Sequence, residues 1–211
     1  MTVVEADSGG RLRADAERNR ARVLDAAQVV FGRDGPSVGV DAIACEAGVG
    51  VGTVYRRFPT KQDLLRAVIE RLGDQIVEEV AATATDAPPG ERFDAVFSTL
   101  AVRYAGSRAL VDAVNADEAG AEEIPVFRAR VERALRPVVE AAQGAGAVRR
   151  DVRATDVIGL AGATSLLAPP HVTGDAGLWL RARSVVLDGL RPDAATPFPD
   201  DAGPAGPDAA R

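Results

Sequence analysis

Between Val40 and Lys61 the chain reads VDAIACEAGVGVGTVYRRFPTK, and this stretch narrows the fold more than any other. It holds two short helical words with a glycine between them and a capped helix start behind them. The first helix begins near Gly39 or Val40 and turns Ile43, Ala44 and Ala47 inward. Gly48 supplies a position that adopts positive φ, so the chain can reverse sharply there. Val51 to Phe58 form the second helix, with Val54 and Phe58 as its buried positions, and Pro59 stops it. Thr60-Lys61-Gln62-Asp63 fits the capping box, in which Thr60 caps and Asp63 reciprocates. Two helices cross closely only over small side chains, and Ala44, Ala47 and Gly48 meet that need.

The surrounding sequence is helical throughout. Residues 1–10 are polar and glycine-rich and read as a disordered leader. Arg11 to Arg22 carries five arginines and runs into Val23, Leu24, Ala27, Val30 and Phe31, spaced as one helix face. Asp34-Gly35-Pro36 ends that helix. Leu64, Leu65, Val68, Ile69, Leu72 and Ile76 mark a long amphipathic helix after the capping box. A break follows at Asp86-Ala87-Pro88-Pro89-Gly90. Further helices are expected near 91–106, 108–119, 122–144, 154–168 and 175–190, with Pro137 kinking or splitting the third of these. Residues 192–211 carry five prolines and little to bury, which predicts a disordered tail. With no alternating strand pattern and no internal repeat, the expected fold is all-α with about nine helices.

Composition excludes several functions. The only cysteine is Cys45 and the only histidine His171, so neither a disulfide nor a Cys–His metal site is expected. The same scarcity, with no acid–base constellation, argues against catalysis. The longest uncharged apolar stretch, Val157 to Val172, is too short and too broken by Gly and Pro to span a bilayer. The N-terminus carries Glu5, Asp7 and paired glycines instead of the charged-then-apolar pattern of a signal peptide, and a cytoplasmic location is the default expectation. Net charge is −6 but uneven: residues 11–71 hold 11 Arg or Lys against 8 Asp or Glu, and residues 72–211 hold 14 against 21. Phosphate attraction is local, screened beyond roughly 8 Å at physiological salt, so an acidic body does not stop a basic module from meeting DNA.

The second short helix carries that chemistry. Thr53 can exchange a hydrogen bond with a base edge or phosphate, and Tyr55 can donate to a phosphate oxygen. Arg56 and Arg57 present forked donors suited to phosphate or guanine. Lys61 adds an ammonium and a helix-start amide to the same backbone. In a helix-turn-helix, the second helix enters the major groove while the first crosses the backbone. Gly48-Val-Gly-Val-Gly52-Thr53 superficially suggests a nucleotide loop, but the fingerprint wants a third glycine at 53 and a preceding strand. The arginines of 11–22 read as a solvated helix face, with minor-groove contact as the alternative.

At these residues the chain resembles the TetR family of bacterial transcriptional regulators. The matching words are Ala26-Ala27 with Phe31 and Gly35, Ile43-Ala44, Ala47-Gly48-Val49, Gly52-Thr53-Val54-Tyr55, Phe58 and Lys61-Gln62-Asp63-Leu64-Leu65. They cover about residues 19–72. The resemblance implies a helix-turn-helix DNA-binding domain over 11–72 (the motif itself about 39–58) and a helical ligand-binding and dimerisation domain over 73–191. It further implies a homodimer that represses from a palindromic double-stranded DNA operator and releases it when a small-molecule effector enters the body. DNA contacts are then expected at Gly39, Val51, Gly52, Thr53, Tyr55, Arg56, Arg57 and Lys61. The chain departs from the pattern twice. Gly39 stands where a Thr commonly caps, and Gly50 where a Ser does; glycine replaces such caps at a cost of a few tenths of a kcal/mol.

In the body, Phe97, Arg103, Tyr104, Phe127 and Trp179 are the candidates to line an effector pocket, though such side chains also fill cores. Small and apolar positions on the last two helices (Leu160, Ala163, Leu166 and Leu167; Leu178, Val185, Val186 and Leu190) suit a four-helix dimer interface. No cofactor is expected beyond the effector, whose identity the sequence leaves open. The alternative is a helical small-molecule-binding protein with weakened or lost DNA binding.

Overall fold

The computed structural model describes residues 8–35, 37–116, 123–167, 176–193 and 196, and these form eight α-helices with no strand among them. In chain order they are α1 (Ser8–Asp34), α2 (Val40–Ala47), α3 (Val51–Arg57), α4 (Lys61–Ala82), α5 (Pro89–Ala116), α6 (Glu123–Gly144), α7 (Ala154–Ser165) and α8 (Ala176–Gly189). α1, α2, α3 and the start of α4 gather around one apolar centre made by Leu24, Ala27, Phe31, Ile43, Val54 and Leu64. α4 continues out of it with Leu72, Ile76 and Val80 buried along one face, at the four-residue spacing of an amphipathic helix. α5, α6 and α7 pack on one another around Phe93, Phe97, Leu100, Val131, Leu135 and Ala161.

Charged pairs tie the long helices across these cores. Arg71 on α4 donates to the Ala21 carbonyl of α1 at 3.1 Å and pairs with Asp25 at 2.5 Å. Arg103 on α5 forks onto Glu79 of α4, and Arg130 on α6 pairs with Asp74 of α4. Such partly exposed pairs contribute little stability each but fix the register of one helix on another. Close approach does the same at Gly73 of α4. A β-carbon there would lie 3.3 Å from the Phe127 ring of α6, so the missing side chain lets α6 seat directly on α4.

The helices differ from the sequence expectations at four places. The segments expected at 91–106 and 108–119 are one helix, α5. A lone Gly106 costs about 1 kcal/mol in a helix interior, and the buried stripe from Phe93 to Tyr104 outweighs it. α6 runs through Pro137 without splitting. Pro137 and Arg133, whose carbonyl loses its donor, both face solvent, where water can replace the bond. α1 takes in Ser8–Gly10, which the sequence assigns to the leader; extending a formed helix is far easier than nucleating one. The tail reading changes at its start: buried Arg149 donates to the Thr196 carbonyl at 2.6 Å, while Asp151 neutralises it at 2.7 Å. His171 and residues 197–211 lie outside the described residues.

Candidate nucleic-acid interface

α2 and α3 are joined through a left-handed turn. Gly48 sits at φ 63°, ψ 39°, and its N–H and that of Val49 close back on the Cys45 and Ala44 carbonyls at 3.1 and 3.0 Å. This is the glycine-terminated helix end, in which left-handed backbone satisfies otherwise orphaned carbonyls. Two more acceptors at that end, the carbonyls of Ala47 and Gly48, receive Arg22 Nη2 from α1 at 2.7 and 3.2 Å. A cation at a helix C-terminus also opposes the helix dipole. Arg22 therefore locks the turn from a neighbouring helix, a role the sequence pattern does not disclose.

α3 shows two faces. Val54 is buried, and Phe58, whose N–H caps the helix on the Val54 carbonyl at 2.8 Å, is buried too. Opposite them Tyr55 is 48% exposed and Arg56 and Arg57 are exposed, while Thr53 is half-buried. Arg56 Nη2 lies 3.4 Å from Thr53 Oγ1, so the hydroxyl and the guanidinium share one patch. Arg20 of α1 stands 5.9 Å over the Phe58 ring, a cation–π distance.

Gly39 and Gly50 occupy the N-caps of α2 and α3 in extended conformation with no side-chain cap bond. At the start of α4 the capping box is complete. The Asp63 N–H donates to Thr60 Oγ1 at 3.0 Å, and the Thr60 N–H donates to Asp63 Oδ2 at 3.0 Å. The Thr60 hydroxyl adds a bond to the same carboxylate at 2.7 Å. These bonds hold the Asp63 carboxyl below its ordinary range, the Thr60 side chain contributing most. Lys61, half-buried, opens the helix just beyond.

Of the five arginines between 11 and 22, Arg18 pairs with Asp15, Arg20 lies 3.9 Å from Glu17, and Arg22 caps α2. Arg11 and Arg13 fall outside the described side chains. Cys45 is a free, exposed thiol on α2. Among the described residues no group of His, Cys, Asp and Glu could hold a metal ion, and no helix is long and apolar enough to cross a membrane.

A cavity of about 380 Å³ opens between α5, α6 and α7, within the range of small-molecule sites. Tyr104 and Phe127 line it, with Ile124, Arg128, Glu132, Thr155, Ile158, Gly159, Gly162, Ala163, Ser165 and Leu166. The other three sequence candidates lie elsewhere. Phe97 is fully buried in the core, Arg103 is held by Glu79, and Trp179 is buried on α8. Burial pushes the Tyr104 hydroxyl up to about 12, against a smaller pull from the Arg128 charge. That hydroxyl has no hydrogen-bond partner among the described residues, an unmade bond that costs about 1–3 kcal/mol.

The paired short helices, their left-handed turn and the cationic outer face of α3 define a helix-turn-helix DNA-binding architecture. Comparison with known proteins makes the assignment specific. Residues 23–68 match the family described as bacterial regulatory proteins, tetR family. Residues 88–192 match the C-terminal domain of transcriptional regulators described as SbtR-like. The crystal structure of a TetR transcription regulatory protein from Mycobacterium vanbaalenii is 38% identical, covers 85% of this chain and 99% of that one, and superposes with a TM-score of 0.65. The TetR transcriptional regulator SCO0520 from Streptomyces coelicolor is 32% identical over 83% and 99% of the two chains, with a TM-score of 0.65. The HTH-type transcriptional repressor LfrR of Mycolicibacterium smegmatis is 42% identical over 74 residues, 35% of this chain and 36% of that one. The matched region spans about a third of the length of such curated relatives. The chain belongs to the TetR family: it is a helix-turn-helix transcriptional regulator and not an enzyme.

Proposed function

We propose that the protein is a cytoplasmic, ligand-responsive repressor acting as a homodimer on a pseudo-palindromic operator. Residues 11–72 are its reading head and 73–191 its sensing and dimerising body. The observation that carries this reading is the outer face of α3. Tyr55, Arg56 and Arg57 stand exposed beside Thr53, while Val54 and Phe58 anchor the opposite face in the core. Gly39, Val51, Gly52 and Lys61 complete the contact surface, the glycines by letting backbone N–H groups approach phosphate.

Dimerisation is supported by apolar side chains left in solvent at the end of α7 and along α8, Leu166 at 55%, Leu178 at 51% and Val185 at 71% exposure. A second copy offers the same face in return, as a two-fold interface requires. Ligand response is supported by the cavity: a molecule that fills it favours one arrangement of α4 and α6 by its differential affinity for the two states. The bare glycine caps at 39 and 50 favour the other reading, a small-molecule-binding protein with weakened DNA binding.

Sequencing genomic fragments retained by purified protein, followed by gel shifts across a salt series, tests the proposal. Specific retention with affinity falling steeply in salt is expected, and Lys61→Ala lowers the slope of log K against log salt by about one. Failure to enrich any fragment, or affinity independent of salt, refutes operator binding through these residues.

A further inference from the structure

The cavity between α5, α6 and α7 carries more information than its volume. Its lining is largely apolar: Phe127 and Ile124 from α6, Ile158 from α7, and Leu166 just past the end of α7. α7 presents Gly159 and Gly162 to it, and a β-carbon at either would meet nothing within 4 Å. The missing side chains thus create part of the space. Tyr104 is more than nine-tenths buried at its wall, and its hydroxyl has no partner among the described residues. With its proton held tightly by burial, that hydroxyl is a ready donor.

The charged groups at the mouth point the same way. Arg128 is exposed there and close enough for its charge to act on the Tyr104 hydroxyl. Glu132 also lines the cavity, but its carboxylate accepts from Arg136 at 3.1 Å, so its charge is answered on the same helix. Ser165 donates its hydroxyl proton to the Gly162 carbonyl at 2.6 Å and has none to spare. Tyr104 and Arg128, one of them cationic, offer donors to the space beside the Thr155 hydroxyl, and the acid of the lining, Glu132, is already paired.

We propose that this cavity selects an amphipathic organic acid, its apolar body on Phe127, Ile158 and the α7 glycines and its carboxylate received by Tyr104 and Arg128. This rests on the proposed effector role of the body and adds the chemical class of the ligand. A donor buried without a partner favours a guest that brings an acceptor, and a guanidinium at the mouth discriminates by charge. A cationic guest meets Arg128 with the wrong sign, and a neutral alcohol makes only the weaker half of the contact.

The test is calorimetry on the full chain with three probes sharing one apolar body: 2-naphthoate, 2-naphthalenemethanol and 2-naphthalenemethylammonium. Naphthoate is expected to bind about tenfold more tightly than the alcohol, with the ammonium weakest. Tyr104→Phe lowers naphthoate affinity about tenfold. Arg128→Gln, at an exposed position, removes the preference of naphthoate over the alcohol. Gly162→Leu fills the space and abolishes all three. Equal affinities, tightest binding by the ammonium, no binding at millimolar probe, or binding that survives Gly162→Leu would each overturn the proposal. Gel shifts with the same probes separate it from the effector reading. Naphthoate that binds as expected but leaves DNA affinity unchanged upholds the ligand class and refutes the effector role. A charge-blind cavity whose filling weakens DNA binding does the reverse.

Discussion

Replacing Gly48 by alanine tests the turn that aims the reading helix, and its effect can be worked from three opposing contributions. The backbone at φ 63° is left-handed, which costs a residue with a β-carbon about 1–2 kcal/mol. Restricting the unfolded chain returns about 0.4–1 kcal/mol of that. The new β-carbon also lies 3.3 Å from Arg22 Nη2. The guanidinium must retreat by a few tenths of an ångström and loosen its 2.7 Å bond to the Ala47 carbonyl. Arg22 is exposed, so that bond is worth the ordinary net value of about 0.5–1.5 kcal/mol and its loosening only part of it. The left-handed cost decides the sign, and the expected destabilisation is about 1–2 kcal/mol. Gly48→Asn should cost less than half as much, because asparagine tolerates left-handed backbone while carrying the same β-carbon. In an Arg22→Ala background the cost of Gly48→Ala should fall by about 0.5 kcal/mol, the β-carbon then meeting nothing. Urea unfolding at one fixed protein concentration, with unchanged m, measures all four variants. If Asn costs as much as Ala, the left-handed turn is not the source of the effect. If the two substitutions add without coupling, Arg22 does not act on the turn.

Three further outcomes are expected. Tyr55→Phe leaves the fold intact and weakens operator binding about fivefold, near 1 kcal/mol, read by gel shift. Asp63 has its folded pKa held below the ordinary 3.8 by the Thr60 bonds. Its stabilisation is therefore present above that value and lost as pH falls through the folded pKa. The gap in urea midpoint between wild type and Asp63→Ala should close below pH 3.8, and a constant gap down to pH 2 contradicts the bonding pattern. Val185→Asp, at the most exposed of the α8 apolar positions, should yield monomers in sedimentation with helical content unchanged.

Features set by neighbours within one helical turn were legible in the sequence. Gly48 as a left-handed stop, the Thr60–Asp63 box, the uncapped glycines at 39 and 50, and Val54 and Phe58 as the buried face of α3 all follow from three- and four-residue spacings. Arg22 was not legible as a cap. Its acceptors lie 25 and 26 positions away and become neighbours only once α1 packs on α2. The Arg103 partner was hidden for the same reason, since Glu79 reaches it from another helix. The cavity was legible only through its large members, Tyr104 and Phe127. Arg128 resembles any exposed arginine in the sequence, and Gly159 and Gly162 act by what they lack. α5 shows the converse: the sequence reading divides 91–106 from 108–119, but one helix runs from Pro89 to Ala116, with a long buried stripe along its first half.

The two bare caps have an evolutionary consequence. A β-carbon at Gly39 or Gly50 would meet no atom closer than 3.9 Å, and both backbones are already extended as a capping serine requires. A β-carbon, the first atom of a capping serine, fits at either place in ordinary van der Waals contact. If α3 reads DNA as proposed, its grip is adjustable by single substitutions at these two positions, away from the packed interior and the cavity between α5, α6 and α7. A lineage can retune how long such a regulator lingers on its target without relearning how to fold.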